Sequence, residues 1–175
     1  MLPVKDGTTA LHLAARHDRA SIAGALVEAQ ANIEARLVTG ETPVFIAAHY
    51  GNEECMVTLI KARADIHAAR NTGETPLFSA VQHGLFSITE YLVASGAKVN
   101  ITAMNGLTPL HIAAERGFRD IAQALITNGA DPGAVADDGS TPLHVATRHG
   151  QLSVLQVLLA QNTANTFLIT TDRTS

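Results

Sequence analysis

The stretch GLTPLHIAA, residues 106–114, returns in close variants at a fixed interval along the chain. The variants are GTTALHLAA, GETPVFIAA, GETPLFSAV and GSTPLHVAT. Their leading glycines stand at 7, 40, 73, 106 and 139, which are steps of 33 residues. Self-similarity with a period of about 20–50 residues is typical of repeat architectures. The sequence therefore predicts an array of similar units instead of a single globular core.

Four apolar positions keep this register through all five copies. The four columns begin at Leu11, Ala14, Ile22 and Leu26 and end at Leu143, Ala146, Val154 and Leu158. Each column stays apolar throughout, and no insertion breaks the spacing. We therefore expect these side chains to form the buried core of every unit.

Within one unit the pattern predicts two short helices. In the fourth copy Thr108 is a good N-cap, and Pro109 follows at the first helical position, where a missing N–H costs nothing. Gly117 ends this helix in a left-handed turn, Asp120 begins the second helix, and Gly129 ends it. Helices this short are not stable alone. The predicted fold is an all-α solenoid of stacked helix-turn-helix pairs, joined by hairpin loops and stabilised by neighbouring units.

These residues resemble the ankyrin repeat family, whose 33-residue unit opens its first helix with TPLHxAA. The chain has TPLHIAA at Thr108–Ala114, TPLHVAT at Thr141–Thr147 and TALHLAA at Thr9–Ala15. The resemblance implies a single domain over residues 1–175. Its repeats would be 4–36, 37–69, 70–102, 103–135 and 136–168, with a tail at 169–175. A fold of this kind does not itself fix a function.

Several positions depart from the family pattern. Asp18 stands where the other copies have glycine between the helices, and Gln30, Arg63 and Asn162 replace the glycine after the second helix. Because such turns favour glycine, we expect a strained or reshaped turn at Asp18. We also expect the outer repeats to fray first. The apolar tail around 167–169 has two interpretations. It folds back as a cap, or the chain is an excerpt from a longer protein, which is the interpretation we favour.

The composition excludes several classes of protein. Apolar residues make up 46 % and charged residues 16 %, which is typical of a folded chain. A net charge of −4 does not favour contacts with nucleic acid phosphates. No apolar run reaches the roughly 18 residues of a membrane-spanning helix, and the N-terminus has no apolar signal core. The single cysteine, Cys55, fits a reducing, intracellular setting.

The eight histidines could suggest metal binding or catalysis, but their positions favour structural roles. His12, His111 and His144 share the TPLH position, where Phe45 and Phe78 stand in the other two copies. The resemblance implies that this histidine bonds to the adjacent threonine and to loop backbone. A position that accepts phenylalanine does not hold a required ligand.

The remaining candidates for chemistry also have simpler interpretations. His17, His83 and His149 lie in alternate repeats, about two helix spacings of 8–10 Å apart, so they cannot share one metal ion. Cys55 lies in an apolar column and is interpreted as a small buried hydrophobe. We therefore predict no catalytic residues, no cofactor and no metal site, and we expect that the chain is not an enzyme.

The resemblance implies a partner surface on the concave side, formed by hairpin tips and the ends of the first helices. Exposed variable positions are where binding is expected. The candidates are Arg16, His17, His49, Tyr50, His83, Met104, Leu107, Glu115, Arg116, Arg148 and His149. The helical positions are cationic and rich in histidine, whereas the hairpin tips are acidic or neutral. An extended peptide or a helix with an acidic stripe would suit this surface, and binding would strengthen as pH falls through about 6.5.

Two functions remain open at this point. The first is a non-catalytic, intracellular protein–protein interaction module. The second is a regulatory or targeting segment of a larger enzyme, channel or effector protein.

Overall fold

A computed structural model describes the backbone of residues 6–171 and the side chains of residues 6–161. Residues 6–171 form ten α-helices in five pairs and contain no β-strand, which confirms the predicted all-α class. The first helices of the pairs are α1 (Ala10–Arg16), α3 (Pro43–Tyr50), α5 (Pro76–Gln82), α7 (Pro109–Arg116) and α9 (Pro142–Arg148). The second helices are α2 (Ala20–Glu28), α4 (Glu53–Lys61), α6 (Phe86–Ala94), α8 (Arg119–Thr127) and α10 (Leu152–Thr171).

The first helices begin as the TP motif predicts. Thr108 has an extended backbone before α7, and its hydroxyl accepts the N–H of His111 at 3.4 Å. Pro109 occupies the first helical position, and Gly117 ends the helix with φ of 77°. The second helix of this repeat begins at Arg119, one residue before the predicted start at Asp120.

Among the described residues, three other than glycine have positive φ, and all three stand where the repeat pattern favours glycine. Asp18, Gln30 and Arg63 have φ of 51°, 61° and 71°. The Asp18 carboxylate also accepts the backbone N–H of Cys55 at 3.0 Å, in the first turn of α4. Asp18 therefore offsets its backbone strain with a cap on the neighbouring repeat, whereas no side-chain bond compensates Gln30 or Arg63 among the described residues.

Helices pack mainly against their own partner and the adjacent repeat. The first helices form one layer, in which α1 contacts α3, α3 contacts α5, α5 contacts α7 and α7 contacts α9. In the second layer α2 packs against α4, α6 against α8 and α8 against α10. Stability in such an array comes mostly from interfaces between neighbours.

The four predicted apolar columns form the core. The alanine column from Ala14 to Ala146 is buried in all five repeats. The exceptions lie in the outer repeats, where Leu26 and Leu143 are half-buried and Ile22 is 53 % exposed. In repeats two to five the equivalents of Ile22 are buried, whereas repeat one has no described repeat before it. The prediction that every column member is buried is therefore wrong at Ile22.

A ladder of backbone hydrogen bonds joins the hairpin loops. It runs from Val38 N–H to the Asp6 carbonyl, Asn71 to Thr39, Met104 to Thr72 and Asp137 to Asn105, at 3.0–3.1 Å. The spacing of donors repeats every 33 residues, as the sequence register requires. The ladder fixes the hairpins next to the ends of the first helices.

The last helix is longer than the others. α10 has 20 residues, whereas α2, α4, α6 and α8 each have nine. It continues past the predicted repeat boundary at residue 168. The side chains at 167–169 lie outside the described residues, and so does the choice between a cap and an excerpt. Within the described residues, no helix combines the length and apolar character needed to cross a membrane.

Candidate protein-interaction surface

The histidine of the TPLH motif connects one repeat to the next. The backbone N–H of Thr108 donates to Nδ1 of His111 at 3.2 Å, and Nε2 of His111 donates to the carbonyl of Ser140 at 3.2 Å. His12 makes the same pair of bonds with Thr9 and Glu41. A backbone N–H can only donate and a carbonyl can only accept, so both rings carry their proton on Nε2. The predicted structural role of these two histidines is confirmed.

Burial sets the protonation of these two rings. It lowers the pKa of His12 and of His111 below the ordinary value of 6.5, although the carbonyl bonds act in the opposite direction. His144 keeps the bond from Thr141 at 3.2 Å but is exposed, and no later hairpin among the described residues bonds to its Nε2. These imidazoles therefore belong to the scaffold.

Where phenylalanine replaces this histidine, a different contact closes the repeat. The Arg70 guanidinium lies 5.8 Å from the Phe45 ring centroid, forms a salt bridge to Glu41 at 3.6 Å and bonds to Glu74. Thr39 also donates to Glu41, which is only 8 % exposed. The hairpin tips were predicted to be acidic or neutral, but the acids Glu41 and Glu74 are mostly covered there because both pair with Arg70.

Cys55 is fully buried in α4, as predicted. Burial raises the pKa of its thiol to about 11, so the sulfur is protonated and shielded from solvent. Among the side chains of residues 6–161, no group of three or more His, Cys, Asp or Glu residues is arranged to hold a metal ion.

The predicted partner-binding residues lie at the ends of the first helices and on the hairpin loops. We call this region the hairpin–helix surface. The exposed members are Arg16, His17, Tyr50, His83, Met104, Arg116, Arg148 and His149. The half-buried members are His49, Leu107 and Glu115.

Four of these residues form a continuous line of contacts across the first three repeats. The Arg16 guanidinium lies 5.4 Å from the Tyr50 ring centroid. Tyr50 meets the ring of His49 edge to face at 4.8 Å, and His49 meets His83 in the same way at 4.4 Å. We call this line the Arg16–His83 row. The sequence placed His49 one position away from the column of His83, so the contact between the two rings was not predicted.

Ser79 orients both imidazoles of the row. Its hydroxyl bonds to Nδ1 of His49 at 3.0 Å, and its carbonyl accepts from Nδ1 of His83 at 2.9 Å. Ser79 is only 2 % exposed. The equivalent positions in the neighbouring repeats are Ile46 and Ile112. A single serine in this otherwise apolar column was the signal in the sequence that something polar lay opposite.

The arginines of the last two repeats have partners within the protein. Arg116 lies 3.7 Å from the carboxylate of Glu115. Arg148 donates to the Ser140 hydroxyl at 2.9 Å and lies 3.9 Å from Asp138. In contrast, no described carboxylate pairs with Arg16. Of the three arginines predicted in the cationic row, Arg16 is therefore the one without a carboxylate partner among the described residues.

A shallow depression joins hairpins and helices in the middle of this surface. Its volume is about 220 Å³, and Phe78, Leu107 and Ile112 supply apolar side chains to it. Glu74, Glu115 and Arg116 line its polar part. Leu107 is partly buried against the core. It therefore forms part of the wall of this depression and does not project as an exposed anchor.

The fold is a helical solenoid, and side chains that differ between repeats are exposed along its hairpin–helix surface. A family model for ankyrin repeats in three copies matches residues 29–103 and 99–168, and a single ankyrin repeat model matches residues 6–36. The chain belongs to the ankyrin repeat family. Ankyrin repeats are generally protein–protein interaction modules. The comparison with curated proteins gave no match.

Proposed function

We propose that this chain is a non-catalytic, intracellular protein-interaction module that binds its partner on the hairpin–helix surface, the concave side of the array. The proposal rests on a difference between two sets of side chains, those that recur with the repeat and those that vary. Residues that recur every 33 positions, such as His12 and His111, are used inside the scaffold. Residues that vary at equivalent positions, such as Tyr50 and Arg116, are exposed on one surface.

The candidate catalytic side chains are used inside the scaffold, which argues against catalysis by the repeats themselves. A cysteine nucleophile needs an accessible thiolate, and the thiol of Cys55 is buried with a raised pKa. A general base needs a free ring nitrogen, and both nitrogens of His12 and His111 are occupied by backbone groups. The polar groups of the scaffold are therefore already used for stability.

The dimensions of the surface suit an elongated partner. Neighbouring helices in contact are spaced by about 8–10 Å, so five first helices extend over roughly 32–40 Å. A helix of about 21–27 residues has this length, since the rise is about 1.5 Å per residue. An extended peptide of about 10–12 residues would also cover it. A preformed surface of this kind loses little ordering entropy on binding.

One observation favours the second function, a regulatory or targeting segment within a larger protein. Repeat one has an open depression of about 510 Å³ on its outer side, lined by Leu13, Ala14 and Ile22 among others. Leu13 is 48 % exposed, whereas its equivalents Ile112 and Val145 are buried. Apolar side chains in this position suit packing against another structural unit. Activity would then reside in that larger protein.

Affinity capture with the purified chain tests the proposal. Proteins retained by the unaltered chain are compared with those retained by Tyr50→Ala and Arg116→Ala, which shorten exposed side chains of the proposed surface. Lys61→Ala and Glu90→Ala are the controls, because these residues are exposed on the second helices α4 and α6. We expect the same protein to be lost with the first pair and kept with the controls. Loss with the controls alone would place binding on the other side of the array and contradict the proposal.

A further inference from the structure

We infer that the partner presents a carboxylate to the Arg16–His83 row and that this contact takes up a proton, so that acid strengthens docking at the first three repeats. This inference rests on the proposed function, because it specifies the chemistry of the same surface. It assigns recognition to repeats one to three, although the sequence spreads its cationic residues over all five.

The positive charge of Arg16 is open to solvent. Arg16 is exposed, and its described contact is the Tyr50 ring, which leaves its positive charge without a carboxylate among the described residues. The nearby acids Glu41 and Glu74 are covered by Arg70. At the Arg16–His83 row the cation Arg16 is therefore exposed, whereas the two nearby carboxylates are mostly covered. An anionic side chain on the partner complements this arrangement.

Ser79 bonds to the Nδ1 atom of both imidazoles in the row. The Ser79 carbonyl can only accept, so the Nδ1 of His83 carries a proton. Nδ1 of His49 is held by the Ser79 hydroxyl, which can donate or accept. No described residue bonds to Nε2 of either ring. A charged His49 ring can therefore keep its contact to Ser79, because the hydroxyl can accept from Nδ1 while Nε2 is left as a donor.

The buried histidines of the TPLH motif behave in the opposite way. The Nδ1 of His111 accepts the N–H of Thr108, so a second proton on the ring would place two donors against each other. His12 has the same constraint at Thr9. In the row, by contrast, no described residue occupies Nε2 of either ring, so this atom is available to a partner carboxylate.

The groups around His49 decide how a bound anion changes its protonation. The ring is surrounded by His83 just after α5, by Tyr50 on α3 and by the hairpin residues Arg70, Glu41 and Glu74. Arg16 on α1 lies beyond Tyr50.

In the free chain the pKa of His49 is lowered, first by burial and then by His83 and Arg70, while Glu41 and Glu74 act in the opposite direction. A partner carboxylate beside the ring would raise this pKa. The complex then holds the proton more tightly than the free chain, so affinity rises as pH falls below neutrality.

The experiment uses the full chain and two blocked peptides, hexaglutamate and hexalysine. The Cε1–H resonances of the histidines are followed by NMR, with His49→Gln and His83→Gln spectra for assignment. We expect hexaglutamate to shift the His49 and His83 resonances, to raise the apparent pKa of His49 and to bind about fivefold more tightly at pH 6 than at pH 7.5. Hexalysine should shift neither resonance.

A matched pair of arginine variants locates the contact. Arg16→Ala should weaken hexaglutamate binding by about fivefold, the upper range for one exposed charge, while Arg148→Ala should leave it unchanged because Arg148 is engaged by Ser140 and Asp138. Both changes are at exposed side chains, and far-ultraviolet circular dichroism confirms that the variants are folded. The inference is overturned if hexaglutamate does not bind, if its affinity is the same at both pH values, or if Arg148→Ala weakens binding more than Arg16→Ala.

Failure of this inference can be told apart from failure of the proposed function. A captured partner that is lost with Tyr50→Ala and Arg116→Ala, but binds Arg16→Ala equally well and equally at pH 6 and 7.5, would keep the interaction surface and remove the acid-strengthened contact.

Discussion

His111 bonds to Ser140 across the boundary between the fourth and fifth repeats, with 3.2 Å between Nε2 and the carbonyl oxygen. The same ring accepts the N–H of Thr108 at the start of its own helix. One buried side chain therefore connects a helix cap to the following hairpin. The stability of such an array depends on the interfaces between neighbouring repeats, and this bond lies in one of them. We therefore expect it to contribute to the free energy of unfolding.

The first prediction compares His111 with His144, which occupies the same position in the last repeat. His111→Ala leaves the Thr108 N–H without a partner, removes one of the two hydrogen bonds to the Ser140 carbonyl and opens a cavity. We therefore expect a loss of about 2–3 kcal/mol in the free energy of unfolding. His144 is exposed and makes only the contact to Thr141, so His144→Ala should cost less than about 1 kcal/mol. Urea denaturation followed by circular dichroism measures both. Equal losses would show that the bond between repeats contributes nothing.

The second prediction concerns the pH dependence of stability. His12 and His111 have pKa values below 6.5 in the folded chain because burial disfavours the charged ring. In the unfolded chain each takes up a proton near pH 6.5, while the folded chain does not, so stability must fall as pH drops through this value. We expect a lower urea midpoint at pH 5 than at pH 7.5.

The control for this pH effect uses the residue that the chain itself has at the equivalent positions 45 and 78. The double variant His12→Phe/His111→Phe removes both titrating groups, so its midpoint should change less between pH 7.5 and 5. The remaining change would come in part from His49, whose pKa is also lowered by burial. A midpoint of the unaltered chain that is constant over this range would contradict the argument.

The third prediction separates two turns with positive φ. Arg63 has φ of 71°, and the equivalent residue of the next repeat is Gly96, beside which a Cβ atom would meet nothing within 4 Å. Arg63→Gly should stabilise the chain by about 1 kcal/mol, since left-handed backbone costs an L-residue about 1–2 kcal/mol. Asp18→Gly relieves similar strain but removes the carboxylate that accepts the Cys55 N–H, so it should not stabilise. Urea denaturation of the two variants checks the difference in sign.

Most of the fold could be predicted from the sequence because the 33-residue spacing shows which residues are equivalent in each repeat. The 33-residue spacing placed the alanine column and the caps at Thr108 and Gly117 correctly. It could not predict the exposure of Ile22, since a column says which side chains are equivalent and not whether a neighbour is present to cover them. The extension of α10 past residue 168 was missed for a related reason, because the family pattern expects a loop there.

The contacts between side chains on the hairpin–helix surface could be predicted less well from the repeat spacing. Sequence identified its candidate residues but treated each charge separately, so it missed the coverage of Glu41 and Glu74 by Arg70 and the pairing of Arg148 with Asp138. His49 and His83 lie on neighbouring repeats but are not 33 residues apart, so the repeat spacing does not predict that their rings meet. Only Ser79, as a polar residue in an apolar column, hinted at that contact.

The last prediction uses one column to measure what a neighbouring repeat contributes. Ile22 and Ile121 are equivalent residues of repeats one and four, but Ile22 is 53 % exposed and Ile121 is 3 % exposed. The change to alanine removes the same atoms at both sites. Ile121→Ala loses buried apolar contact and leaves a cavity, so it should cost about 2–4 kcal/mol in the free energy of unfolding. Ile22→Ala should cost less than about 1 kcal/mol, since most of the side chain already contacts water. Urea denaturation compares the two variants, and amide hydrogen exchange shows whether the loss at Ile121 spreads into the adjoining repeats. A cost at Ile22 as large as that at Ile121 would mean that the outer side of repeat one is covered in solution.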